Sequence, residues 1–246
     1  MVTAGMLPRA AVREVEARLR AAGCPDADFD AAELFRLAAG GDVRLADAPL
    51  GAEQAERLEA LTARRAAREP LQYLCGSWSF LDFELAVGPG VLCPRADTEV
   101  VAQAAAETLA GIAAPRVLDL CAGTGCLGLG VKRFCPAAQV TCVEKSPAAF
   151  AYLEKNARCA LTGQGRQTEN VLEPSALEQA NVPAFDWGPS LNALRANQKS
   201  AYAVQPVQGD LFTYWETLPE GQLELIVSNP PYLTAAEMEQ LQAEVA

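Results

Sequence analysis

The chain of 246 residues carries a formal net charge of −11, is half hydrophobic, and contains eight cysteines but no histidine. The lack of histidine excludes serine–histidine and cysteine–histidine catalysis, and the cysteines lack metal-site spacing, so we expect no metal site and reduced thiols in a cytoplasmic protein. No apolar run reaches the roughly 20 residues of a membrane helix, the N-terminus becomes charged too early for a signal peptide, and no basic surplus favours nucleic-acid binding.

The first 70 residues are predicted to form a small helical bundle. The segment "PRAAVREVEARLRAAG" (8–23) places apolar residues at helical spacing and ends in a glycine. Two further segments, "DADFDAAELFRLAAGG" (26–41) and "GAEQAERLEALTARRAAREP" (51–70), stop at a glycine pair and at a proline. We expect the second helix to have an apolar face made of Phe29, Leu34 and Leu37.

Residues 71–93 show a different pattern. The stretch "LQYLCGSWSFLDFELAVGPGVL" alternates aromatic and polar residues between glycines, which favours a β-hairpin. A capped helix is predicted next, in "PRADTEVVAQAAAETLAG" (94–111), with Thr98 and an acidic first turn at its start.

From Pro115 onward, predicted strands alternate with predicted helices. The strands are "RVLDLC", "QVTCVE", "AYAVQPVQGD" and "LELIVSN", and the helices are "GCLGLGVKRFC" and "SPAAFAYLEKNARCA". This alternation predicts an α/β protein with a doubly wound parallel sheet. Residues 161–201 are polar and rich in turn residues, so we interpret them as a long surface insertion.

The first motif with chemical content is "VLDLCAGTGCLGLG", a strand that runs through Asp119 into a glycine-rich turn and a helix. Small residues in such a turn let a ligand approach the backbone at the helix N-terminus. Glu144 ends the next strand, where an acid can accept hydrogen bonds from both hydroxyls of a ribose. The alternative is a tight turn without a ligand. The ribose-bearing ligand can be a nicotinamide dinucleotide or S-adenosylmethionine.

The second motif is "IVSNPPYL", in which two prolines follow Asn229 at the end of the last predicted strand. Prolines have no N–H, so this loop offers acceptors: the side-chain oxygen of Asn229 and the carbonyl of Pro230. Tyr232 adds a flat face, and such a set fits a planar –NH2 group that is aligned with a methyl sulfonium. Hydride transfer has no use for this arrangement. The alternative is a proline-rich turn without function.

These motifs together resemble a known family. "PGVLCPRADTE", "VLDLCAGTG" and "VSNPPYL", in this order behind a helical bundle and "REPLQYLCGSWSF", are similar to the PrmC/HemK family. The resemblance implies a Rossmann-like S-adenosylmethionine-dependent methyltransferase. Its substrate would be the side-chain amide of the glutamine in the Gly-Gly-Gln motif of peptide chain release factors.

The resemblance also implies roles for segments and residues. Residues 1–70 would bind the release factor, 71–93 would be a hairpin linker, and 94–246 would be the methyltransferase domain, in which 94–99 close over the cofactor. The cofactor would contact residues of four segments: Cys121, Ala122, Gly123, Thr124, Gly125, Glu144, Asp210, Leu211 and Asn229. The glutamine amide would be held by Asn229, Pro230, Pro231 and Tyr232, of which Asn229, Pro230 and Tyr232 would be catalytic.

Three departures from the family pattern qualify these expectations. Cys121 stands where a glycine is common and is strained if its φ is positive. Ala96 replaces a proline. The family's sheet has seven strands and this chain stops after the fourth, so we expect a fragment with an open sheet edge. A nucleic-acid adenine or guanine amino-methyltransferase and an inactive cofactor- or release-factor-binding fragment remain alternatives.

Overall fold

The computed structural model describes residues 1–159, 203–218 and 221–230. The predicted insertion at 161–201 lies entirely outside these ranges, as do Pro231 and Tyr232. Contacts divide the described chain into two compact units, residues 1–75 and the part from Gly76 onward. Within the described ranges, no helix is long and apolar enough to cross a membrane.

The first unit consists of four helices, α1 (Pro8–Ala21), α2 (Ala27–Ala39), α3 (Ala52–Ala66) and α4 (Leu71–Cys75). Its core contains fully buried side chains from the first three helices, namely Val15, Leu19, Leu34, Phe35 and Leu58. A buried ion pair joins α2 to α3, with Arg65 Nε 2.7 Å from Asp30 Oδ2. The predicted helical bundle is therefore present.

Two local predictions in this unit are wrong. Phe29 is half exposed, whereas Phe35 is buried beside Leu34. The buried stripe of α2 follows helical spacing through Ala31, Leu34, Phe35 and Ala38, and Phe29 lies off that stripe. Residues 71–75 form helix α4 instead of a strand, because the Pro70 carbonyl accepts hydrogen bonds from the next turn and the leucines at 71 and 74 are buried at helical spacing.

The second unit begins with the predicted hairpin, whose strands β1 (Ser77–Phe80) and β2 (Phe83–Ala86) pair antiparallel. Helix α5 (Ala96–Thr108) follows. It begins two residues before Thr98, directly after the extended Arg95, so Thr98 is a buried first-turn residue and not the predicted cap. The contact-based division joins the hairpin to this unit, while the sequence analysis treated 71–93 as a separate linker.

The rest of the second unit alternates strands and helices: β3 (Arg116–Leu120), α6 (Cys126–Phe134), β4 (Gln139–Glu144), α7 (Pro147–Cys159), β5 (Gln205–Gln208), α8 (Leu211–Tyr214), a 3-10 turn (Trp215–Thr217) and β6 (Leu225–Ser228). The four strands form a parallel sheet in the order β5-β4-β3-β6. This confirms the predicted α/β class.

Close packing fixes α6 between β4 and α5. A Cβ at Gly128 would collide with Cys142 Sγ on β4, and one at Gly130 would lie 2.8 Å from the Ala102 Cβ on α5. The surrounding core is almost entirely aliphatic and includes Leu85, Leu109, Leu129 and Leu153. The absence of side chains at two positions of α6 therefore sets how closely the helix approaches the sheet.

Candidate functional site

The parallel strands bring the predicted site segments to one edge of the sheet. Leu120 of β3 pairs with Val143 on one side and with Ser228 on the other, and Glu144 pairs with Gln208. The segments that follow these residues all leave the sheet at the carboxyl ends of the strands. In open α/β sheets, this edge is where ligands bind.

The glycine-rich turn, residues 121–125, leaves β3 with three residues in the left-handed region. Cys121 has φ +58°, Gly123 has φ +55°, and Gly125 has φ +80° and precedes α6. The turn is closed by hydrogen bonds from Gly125 N to the Ala122 carbonyl (2.7 Å) and from Ala122 N to the Val143 carbonyl (3.0 Å). Cys121 is the one residue of the three with a side chain, so the predicted strain is present there.

The carboxylate of Glu144 is hydrogen-bonded to this turn. Its Oε2 accepts from Gly123 N at 2.9 Å, and its Oε1 accepts from Ser146 N at 2.7 Å. The residue is half-buried at the end of β4. A carboxylate has about four acceptor positions, so two positions remain for hydroxyl donors of a ligand. Because both oxygens are anchored to the backbone, the carboxylate is held in one orientation.

Asp210 lies in the segment that leaves β5, the strand that flanks β4 on the side away from β3. The Gly209 N–H donates to the Glu144 carbonyl at 2.9 Å, which ties this segment to β4. Lys145 Nζ lies 2.9 Å from Asp210 Oδ2, and this hydrogen bond lowers the pKa of the Asp210 carboxyl. Leu211 begins α8 directly after it.

Carboxyl groups lie near the Cys121 thiol. Burial raises the pKa of this thiol, the nearby Glu144 carboxylate raises it further, and Asp119 and Asp210 add smaller contributions; a side-chain hydrogen bond with Ser228 opposes them. Among these acids, Asp119 has its own pKa raised to about 7 and Asp210 is paired with Lys145. The Glu144 carboxylate therefore favours a cationic ligand group at the turn.

The last predicted motif begins beside the glycine-rich turn. The Ser228 hydroxyl donates to the Leu120 carbonyl at 2.7 Å, and Asn229 and Pro230 follow as exposed residues. Asn229 and Cys121 are thus the first residues beyond paired positions of β6 and β3. The roles of Pro231 and Tyr232 stay predictions, because both lie outside the described residues.

Comparisons with known proteins identify the chain. The PrmC N-terminal domain matches residues 10–76, and the methyltransferase small domain matches residues 83–187. The release factor glutamine methyltransferase of Bifidobacterium longum is 31% identical over 92% of this chain and 69% of its own length. That of Mycolicibacterium smegmatis is 34% identical over 97% of this chain and 70% of its own length. The chain belongs to the release factor glutamine methyltransferase family. The resemblance found in the motifs is therefore confirmed.

The chain is shorter than its family relatives. It spans 54% of the length of the Geobacter sulfurreducens release factor glutamine methyltransferase, which is 34% identical over 81% of this chain. The first family match nearly coincides with the first structural unit, and the second match lies within the second structural unit.

In this family member, the segment at 94–99 makes contacts that the sequence analysis did not anticipate. The Glu99 carboxylate accepts a hydrogen bond from Leu81 N at 2.8 Å, which links α5 to the hairpin turn. Burial raises the pKa of the adjacent Cys93 thiol to about 12, so this thiol is protonated at neutral pH. Closure of the segment over a cofactor stays a prediction.

The sequence analysis gave no role to two buried polar residues close to the glycine-rich turn, Asp119 and Asn156. Asp119 is 1% exposed, and its Oδ2 accepts from Gly128 N at 2.9 Å in the first turn of α6. Burial raises its pKa to about 7 against the opposing effects of the bonds from Gly128 and the Cys142 thiol. Asn156 of α7 is also buried. An acid two residues before the turn is a usable sequence signal for Asp119, whereas nothing in the helical pattern distinguishes Asn156.

Proposed function

We propose that this chain binds S-adenosylmethionine and transfers its methyl group to the side-chain amide nitrogen of the glutamine in the Gly-Gly-Gln motif of peptide chain release factors. One observation carries the proposal. The glycine-rich turn and the Asn229–Pro230 segment begin beside each other, at paired positions of β3 and β6, with the anchored Glu144 on the next strand. The acid proposed to bind the ribose and the loop proposed to bind the amide thus flank one turn.

The residues present fit this cofactor. Glu144 keeps two acceptor positions for ribose hydroxyls, in an orientation fixed by the bonds from Gly123 N and Ser146 N. The small residues of the turn leave its backbone open to the methionine part, and the Glu144 carboxylate favours its cationic groups. Asp210 and Leu211, at the end of β5, would border the adenine. When bound, S-adenosylmethionine supplies an electrophilic methyl group on a positively charged sulfur.

The Asn229 loop would hold the nitrogen that is methylated. The side-chain oxygen of Asn229 and the carbonyl of Pro230 would accept the two hydrogens of the glutamine –NH2 group, and Tyr232 would pack against its plane. An amide nitrogen is a weak nucleophile because its lone pair is delocalised. The two oxygens orient it and stabilise the positive charge that develops on nitrogen during transfer. The proton then leaves after transfer, so a strong base is not required.

The test is methyl transfer from radiolabelled S-adenosylmethionine to a purified release factor. We expect label in the wild-type release factor and none in a variant whose Gly-Gly-Gln glutamine is replaced with alanine. RNA and DNA serve as parallel substrates, because label in either would indicate the nucleic-acid alternative. Label in none of them would contradict the proposal. A cytoplasmic location and the absence of membrane and nucleic-acid partners accord with this substrate and stay predictions.

A further inference from the structure

Asn156 makes three hydrogen bonds from one buried side chain. It lies on α7 and is 3% exposed. Its Oδ1 accepts from Ala86 N at 2.7 Å, and its Nδ2 donates to the Ala86 carbonyl at 3.1 Å and to the Thr124 carbonyl at 2.9 Å. Both amide hydrogens and the amide oxygen are therefore used. The bonded residues are 70 and 32 positions away in the sequence.

The two partners of Asn156 belong to different segments around the cofactor site. Thr124 is part of the glycine-rich turn. Ala86 ends β2, and the chain that leaves it, residues 87–93, returns to the same turn: a Cβ at Gly123 would lie 3.8 Å from Val91 Cγ2. Residues 87–93 also lie against α7, since a Cβ at Gly88 would collide with the Tyr152 hydroxyl. Asn156 is one helical turn beyond that contact.

We propose that Asn156 is a positioning residue for the cofactor site, which fixes the glycine-rich turn relative to residues 87–93. The inference rests on the proposed function, since it assumes that the turn binds S-adenosylmethionine. Asn156 would not contact the cofactor itself and would act through the backbone of Thr124 and Ala86, to which its side chain is hydrogen-bonded. With these bonds in place, the turn and the segment beside it are held before the cofactor arrives, so less ordering accompanies binding.

The three hydrogen bonds require an amide side chain with the length of asparagine at position 156. An aspartate retains the bond from Ala86 N but places a carboxylate against the carbonyls of Ala86 and Thr124. An alanine leaves one N–H and two carbonyls without their partner. Unpaired buried polar groups are costly in either case.

The experiment compares Asn156→Asp and Asn156→Ala with a control, Leu109→Ala. Leu109 is buried in the core of the same unit, at the end of α5, so its truncation lowers stability without removing a bond to the turn. Three quantities are measured: the affinity for S-adenosylhomocysteine by calorimetry, the thermal unfolding midpoint, and hydrogen exchange of the amides at 121–127 in the cofactor-free protein.

We expect both Asn156 variants to bind S-adenosylhomocysteine about tenfold more weakly and to exchange the 121–127 amides faster. Leu109→Ala should lower the unfolding midpoint with an affinity within about twofold of wild type. Asn156 variants that lose thermal stability but keep wild-type affinity and exchange would overturn the inference. A wild-type protein that does not bind S-adenosylhomocysteine would overturn the proposed function and the inference with it.

Discussion

Replacing Glu144 with alanine removes the carboxylate that accepts hydrogen bonds from Gly123 N and Ser146 N. The same change removes the oxygens proposed to accept from the ribose. Hydrogen bonds to charged groups contribute about 1.5–3 kcal/mol to stability or binding. The Gly123 N–H, which now donates to Oε2 at 2.9 Å, would lose its partner. We expect the loss of cofactor affinity to be about 1.4–2.8 kcal/mol, which corresponds to a tenfold to hundredfold rise in Kd.

Calorimetric titration of Glu144→Ala with S-adenosylhomocysteine measures this rise directly. The matched control is Glu107→Ala, which removes the same charge from an exposed position on α5 and should leave Kd unchanged. Thermal unfolding of both variants separates weaker binding from loss of fold. An unchanged Kd for Glu144→Ala would refute the reasoning, because the ribose would then have to bind elsewhere.

Three further predictions concern other residues of the site. Asn229→Ala should lower the methyl-transfer rate roughly a hundredfold, since about 3 kcal/mol of transition-state stabilisation is lost, and should leave S-adenosylhomocysteine binding mostly intact; an unchanged rate in a single-turnover assay would remove Asn229 from the site. Cys121→Gly should raise the free energy of unfolding by up to about 1 kcal/mol, because the relief of backbone strain at φ +58° outweighs the larger conformational entropy that glycine gives the unfolded chain. Cys121→Ala keeps a Cβ and should show no such gain in urea unfolding. Burial raises the pKa of Asp119 to about 7, above its value of about 3.9 in the unfolded chain. The contribution of Asp119 to the free energy of unfolding is therefore most favourable below about pH 3.9. It is lost as the pH rises to 7, by at most about 1.4 kcal/mol per pH unit. Asp119→Asn should flatten this part of the stability–pH curve, and an equal slope in both proteins would contradict the assignment.

The sequence was sufficient to predict the parallel sheet and the edge of the sheet at which the candidate site residues lie. Strand and helix periods alternate clearly after Pro115, and the chemistry-bearing residues stand directly after strands, so the rule that parallel strands end at one edge already groups them. The positive φ of Cys121 was also foreseeable, because glycine is the usual residue at this point of the turn. These features depend on local pattern alone.

Other features depend on tertiary contacts that a local pattern does not contain. Phe29 and Phe35 are both apolar and on one helix, and the packing of the neighbouring helices of the first unit decides which is buried. The bonds of Asn156 to Ala86 and Thr124 join segments 70 and 32 residues away. From the sequence alone, Asn156 cannot be distinguished from any other polar residue on a helix, because its hydrogen-bond partners are not known.

The pairing of β6 with β3 has a consequence for the order in which the site is completed. The hydrogen bond between Ser228 and Leu120 spans 108 residues of chain, whereas the bond between Gly123 and Glu144 spans 21. A nascent chain that has emerged through α7 already holds the turn, Glu144 and Asn156. The Asn229 loop joins them only after a much longer stretch has been synthesised and that large loop has closed. The glycine-rich turn and Glu144 can thus assemble first, and the Asn229 loop is added to a surface that is already formed.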